Sequence, residues 1–205
     1  MRRVGILGGT FNPIHVGHLI MGQCAGEAFE LEKVLVMPTK NPEYKEITKN
    51  VSEEDRVHMI QLAIEGHPFF ELSQLELQRE GYTYTADTLE ILTKEYSDTR
   101  FYFIMGADSL YQIESWKHPE KILSLATIVV ASRNDSVRAL NDQIDYIQGK
   151  YDAEIYHLDS PSLEISSNDI RRRVGEGKSI RYFVPKRVRQ YIEDNHLYER
   201  KRNSK

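Results

Sequence analysis

Short apolar runs alternate along this chain with segments whose apolar residues recur at helical spacing. Residues 3–7, 34–37, 101–105 and 127–131 are runs of four or five positions, each closed by Gly, Pro or polar residues. They read as strands buried on both faces. Residues 69–72 and 154–158 are further candidates. The 3.6-residue period predicts helices over residues 16–29, 85–96 and 137–147. Ser52, with Asp55 three positions on, imitates a capping box, and Gly66-His67-Pro68 closes the helix it opens. Residues 39–50 are polar, contain Pro42 and read as a mobile loop. Short helices around residues 168–174 and 185–195 finish the chain.

Strands alternating with helices predict an α/β fold: a Rossmann-like, doubly wound parallel sheet with helices on both faces. A length of 205 residues suits a single domain, 1–205, able to bury a core unaided. In such a sheet ligands bind beyond the carboxyl ends of the strands, near the reversal of strand order. The loops starting at Gly8, Pro38, Gly106 and Ser132 are therefore the places to look.

Charge refines this picture. The net charge is −4, yet residues 171–205 carry 12 Lys/Arg against 4 Asp/Glu. The basic helical segment, about residues 167–198, with a frayed tail beyond it, suggests an anionic partner nearby. The single cysteine, Cys24, excludes an internal disulfide and a thiolate zinc cage. No apolar run approaches the ~18 residues of a membrane span. The expectation is a reduced, cytoplasmic protein with neither a membrane nor a nucleic-acid partner; a homo-oligomer stays open.

The chemistry concentrates in Gly8-Gly9-Thr10-Phe11-Asn12-Pro13-Ile14-His15-Val16-Gly17-His18. Two glycines after a strand permit a tight turn that presents amide hydrogens to an anion. A helix starting near His15 or Val16 adds its positive end at the same place. His15 and His18, three apart, lie on one helix face. Gly17 between them costs roughly 1 kcal/mol of helix propensity, which suits a close approach to the backbone. Two other readings stay open: a capped helix with partly buried histidines, and a two-histidine metal site, although no third ligand at metal-site spacing is evident. The dinucleotide G-x-G-x-x-G is absent, Gly177-Lys178-Ser179 is a P-loop end without its first glycine, and no nucleophile elbow occurs.

The stretch Gly8 to His18 resembles the signature of the HxGH nucleotidyltransferases. The remainder resembles their bacterial nicotinate-nucleotide adenylyltransferase branch over nearly the whole chain. The resemblance rests on Glu80-Gly81 with Tyr84-Thr85-Ala86-Asp87-Thr88, on Gly106-Ala107-Asp108, on Trp116 and Arg133, and on Ile165-Ser166-Ser167-Asn168-Asp169-Ile170-Arg171. The chain departs from the pattern in having Asn12 for Asp, Tyr44 for the His before Lys45, and Asn168 for Thr. Asn168 is expected to keep a helix-cap role.

The resemblance implies transfer of AMP from ATP to nicotinate mononucleotide, with Mg²⁺ accompanying ATP and no metal held by the protein alone. It implies His15, His18, Lys45 and Arg171 as the catalytic set. Gly8, Gly9, Thr10, Phe11, Gly106, Asp108, Arg133, Ser166, Ser167 and Ile170 would meet ATP, and Tyr84, Thr85 and Trp116 the acceptor. Other adenylyltransferases, acting on pantetheine phosphate or nicotinamide mononucleotide, share the first motif. A non-catalytic nucleotide- or RNA-binding module would use the basic C-terminal segment instead.

Overall fold

In the computed structural model of the protein, described over residues 1–40, 51–132 and 137–199, six strands form one parallel sheet. They are β1 (Arg2–Gly9), β2 (Lys33–Pro38), β3 (Phe70–Leu72), β4 (Thr99–Gly106), β5 (Thr127–Ala131) and β6 (Ile155–Leu158), in spatial order β3-β2-β1-β4-β5-β6. The chain leaves the centre in both directions, so the order reverses between β1 and β4. Leu7 pairs with Ile104 there, and Gly8 and Gly9 run on opposite Met37 and Pro38. The doubly wound expectation therefore holds, and the glycines finish β1 instead of following it.

Strand alternation sorts the core into two layers. Leu7, Val34, Val36, Tyr102, Ile104 and Val129 face one side. There they meet α1 (Val16–Ala28), α2 (Glu53–Ile64), α7 (Ser167–Gly175) and α8 (Lys186–Asp194), which contribute Ala25, Met59, Ile60, Ile170, Val188 and Ile192. Val4, Ile6, Leu35, Phe101, Phe103, Met105 and Val130 face the other side. That face is covered by α3 (Thr85–Glu95), α4 (Ala107–Tyr111), α5 (Pro119–Leu125) and α6 (Val137–Tyr151). Burial on both faces is why these strands read as continuous apolar runs. On α1, Gly22 and Gly26 make room for the rings of Phe70 and Phe69, which a Cβ at either position would meet at 2.7 Å.

Three elements between β4 and β5 were not foreseen: α4, a 3₁₀ turn at Ile113–Ser115, and α5. With five, three and seven residues, none is long enough to display a helical period. α6 also continues beyond residue 147 to Tyr151. Among the described residues, no helix is long and apolar enough to cross a membrane.

Candidate active site

The loop after β1 is built by an accounting of carbonyls. The Gly9 carbonyl accepts from the Thr39 N–H at 2.9 Å, and the Thr10 carbonyl from Arg56 Nη1 at 2.8 Å. The Asn12 carbonyl accepts from Arg171 Nη1 at 2.7 Å, and the Pro13 carbonyl from the Ser167 hydroxyl at 2.9 Å. In a trans peptide the N–H points opposite to its carbonyl, so the Thr10 and Phe11 amides are turned away from these protein donors. That arrangement leaves both amides free of these donors, as an anion-binding turn requires. Phe11 holds a left-handed φ of 47°, sparsely populated for a bulky residue, while its ring is buried and only its backbone serves the loop. The Asn12-Pro13 bond is cis.

His15 caps α1 and is buried, whereas His18, in the first turn, is half-buried. Their rings stack with centroids 3.6 Å apart, and Phe11 meets His18 edge-on. The His15 N–H donates to His18 Nδ1 at 3.3 Å, so neutral His18 carries its hydrogen on Nε2 as a donor. The predicted approach at Gly17 is partly taken up by the protein itself: a Cβ there would meet His15 Nδ1 at 3.1 Å.

These histidines line a cleft of about 430 Å³, part of it open to solvent, with Gly17, Ile20, Met21, Gly106, Ala131, Ser132, Ser160, Pro161, Leu163 and Ile165. It lies across the carboxyl ends of β1, β4 and β5, at the reversal of strand order, where the fold rule puts ligands. The structure thus brings His15, His18 and Gly106 together, and Ser167 and Arg171 bind the same loop. The Ser160–Ile165 wall and the apolar α1 face were missed. Ser160-Pro161-Ser162 reads in sequence only as irregular polar chain, with no local signal of a ligand.

Ser166 caps α7, accepting from the Asp169 N–H at 3.1 Å. Asn168 is therefore not the cap. It lies inside the first turn, and its Oδ1 accepts from Arg171 Nη2 at 3.4 Å, because the cap falls two residues earlier than expected. Ile170 is also not at the cleft: its side chain is fully buried and its N–H bonds the Ser166 carbonyl at 3.1 Å. Asp108 is exposed in the first turn of α4, just past Gly106. Lys45 and Arg133, with Tyr44, lie outside the described residues.

A second group flanks the other face of the sheet. Tyr84 caps α3, so Thr85 takes the first helical position. Lys117 Nζ, one residue after Trp116, sits 4.1 Å over the Tyr84 ring. Trp116 is half-buried, edge-on to Phe103 at 6.3 Å, and Phe103 also lies 3.5 Å from where a Cβ on Gly8 would stand. Phe103 therefore spans from the first glycine to the tryptophan. Beneath, the buried Glu76 accepts from the Thr83 and Thr88 hydroxyls at 3.1 and 2.9 Å, and burial pushes its carboxyl up.

Arg56, fully buried on α2, was also missed. Its position on the buried stripe with Met59, Ile60 and Ile64 is the signal that singles it out, since a charge on an apolar stripe needs partners.

The parallel sheet, the turn after β1 and the paired histidines at the crossover define a nucleotidyltransferase site. Residues 6–173 match the cytidylyltransferase-like family model, and the chain belongs to that family. Within it, the chain groups with the nicotinate-nucleotide adenylyltransferases. A relative from Lachnoclostridium phytofermentans, named "Probable nicotinate-nucleotide adenylyltransferase", is 48% identical over 97% of this chain and 100% of its own length. One of the same name from Desulfitobacterium hafniense is 43% identical over 96% of each. The fold is similar to that of Plasmodium falciparum nicotinic acid mononucleotide adenylyltransferase complexed with NaAD, with a TM-score of 0.80 at 20% identity, covering 97% of this chain and 98% of that one.

Proposed function

We propose that this protein transfers AMP from ATP to nicotinate mononucleotide, giving nicotinate adenine dinucleotide and pyrophosphate in NAD biosynthesis. The acceptor phosphate oxygen attacks the α-phosphorus of ATP, the bond from the α-phosphorus to the β-bridging oxygen breaks, and pyrophosphate leaves with its electron pair. A phosphate monoester with a second pKa of about 6 is already mostly dianionic, so the step needs no general base. The enzyme contributes position and charge stabilisation.

The amides of Thr10 and Phe11 cradle the triphosphate, with Gly8 and Gly9 leaving the strand end open to it. His18, with its Nε2 hydrogen, donates to the phosphate oxygens as charge passes to the leaving group, and His15 holds it by stacking. Arg171, already on the Asn12 carbonyl, reaches the β,γ end with Ser166 and Ser167. Lys45 adds a positive charge for the phosphates, and Mg²⁺ accompanies ATP as part of the substrate. The adenosine occupies the cleft of Ser132 and Ser160–Ile165, with Asp108 at the ribose. The nicotinate ring stacks on Trp116 and its carboxylate faces the α3 amides at Tyr84 and Thr85.

The observation that carries this reading is the carbonyl-bound loop with stacked histidines at the strand-order reversal. Pyrophosphate release measured with nicotinate mononucleotide, nicotinamide mononucleotide and phosphopantetheine tests it. Turnover highest with nicotinate mononucleotide is expected; preference for either other acceptor would overturn the assignment.

A further inference from the structure

Arg56 stands behind the loop, away from any reacting atom, and joins two segments that leave neighbouring strands. Its Nη1 donates to the Thr10 carbonyl at 2.8 Å and to the Thr39 carbonyl at 2.9 Å. Thr39 in turn donates its N–H to the Gly9 carbonyl at 2.9 Å. The side chain has no exposed surface, and Nε and Nη2 lack hydrogen-bond partners among the described residues. Among the described residues its nearest carboxylate is Glu53, 3.9 Å from Nη2 and itself more than a third exposed.

A buried cation whose one counter-ion among the described residues is distant and partly solvated is costly as a mere core support. Residues of the α2 stripe such as Met59 and Ile60 show that apolar side chains suit this layer. What an apolar residue cannot do is hold two carbonyls inward at once.

From this geometry we infer that Arg56 is a positioning residue for ATP: by turning the Thr10 and Thr39 carbonyls into the core it aims the Phe11 and Lys40 amides outward, and its charge, only weakly countered by Glu53, favours a polyanion on the far side of the loop. The peptide planes transmit the first effect, since each N–H lies opposite its carbonyl. The second acts through a low-dielectric layer that screens it little. The ligand part addressed is the triphosphate, not the nucleoside, whose cleft is lined by other residues.

The inference rests on ATP being the substrate, and the test separates the two. Affinities for ATP and for adenosine are measured by calorimetry on wild type, Arg56→Met and Arg56→Lys, alongside kcat, both KM values and melting temperature. If wild type does not bind ATP, the functional reading itself fails. If it does, Arg56→Met should weaken ATP binding by about tenfold or more and lower kcat by about 10–100-fold, the scale for misplacing anion-stabilising donors. Adenosine affinity and the KM for the acceptor should stay within about twofold of wild type. Arg56→Lys, which keeps the charge but not the forked reach, should show a smaller loss in the same ratio, and it decides the matter should Arg56→Met fail to fold. Variants that melt lower but keep the wild-type ratio of ATP to adenosine affinity would reduce Arg56 to a core support.

Discussion

The hydroxyl of Tyr198 donates to Oδ1 of Asn12 at 2.7 Å, joining residues 186 apart in the chain. Both side chains are buried, and burial pushes the phenol well above its ordinary range, so Tyr198 remains a neutral donor. Arg171 binds the carbonyl of the same Asn12. The C-terminal segment thus braces the loop after β1. An amide at position 12 accepts the phenol hydrogen without placing a carboxylate in the core.

Tyr198→Phe leaves a buried acceptor without this donor. It should cost about 1–3 kcal/mol of stability. Urea unfolding measures this, and an unchanged midpoint would show that the bond adds nothing net.

His18→Ala should lower turnover by about 10²–10³, the scale of one transition-state donor. Its melting temperature should move little, because His18 is only half-buried, unlike His15 beneath it. A folded variant with wild-type turnover would falsify the donor role.

Trp116 is the only tryptophan, so its fluorescence reports one site. Adding nicotinate mononucleotide should quench it, and Trp116→Ala should cost about 1–3 kcal/mol of acceptor binding. Emission indifferent to the acceptor, together with a collapse of the variant's melting temperature, would make the ring a support for Phe103 alone.

Selectivity for the acid over the amide should reside in main-chain donors at the start of α3. Thr85 is its first helical position, which tolerates proline, and Tyr84 before it is already extended, at φ −115° and ψ 138°. Thr85→Pro therefore removes one amide without breaking the helix. The ratio of kcat/KM for nicotinate over nicotinamide mononucleotide should be at least about tenfold in wild type, only partly reduced in Thr85→Ala, and lost in Thr85→Pro. A ratio near one in wild type would remove the carboxylate pocket.

Asp55 links the cap of α2 to α8. Burial pushes its carboxyl up, but hydrogen bonds from the Ser52 N–H, the Tyr191 hydroxyl and the Ser52 hydroxyl outweigh that and hold it below the ordinary carboxylate range. A depressed carboxyl contributes stability above its unfolded pKa of about 3.9, and loses it as pH falls through the lower folded value. Asp55→Asn should be less stable than wild type by about 1–2 kcal/mol near neutral pH. That gap should close on acidification below about pH 4, in thermal melts compared across pH. A gap that stays constant would detach it from the carboxylate charge.

Local features could be read from the order of residues alone. The long strands and helices were legible because burial on two faces or one stripe imprints a period on consecutive residues. The Ser52–Asp55 box formed as written, with the Asp55 N–H on Ser52 Oγ at 3.0 Å, because capping involves residues three apart. The paired histidines and the glycines that end β1 were legible for the same reason.

Tertiary structure decided what depends on packing between distant segments. Whether Ser166 or Asn168 caps α7, whether Ile170 faces nucleotide or core, and whether Arg56 and Tyr198 serve the loop all turn on how α2, α7 and the C-terminal segment settle against β1. No period records this. A buried arginine and a buried tyrosine gain their partners only when chain separated by 46 and 186 residues closes around one loop, and the energy that selects such contacts is the cost of leaving those polar groups unpaired.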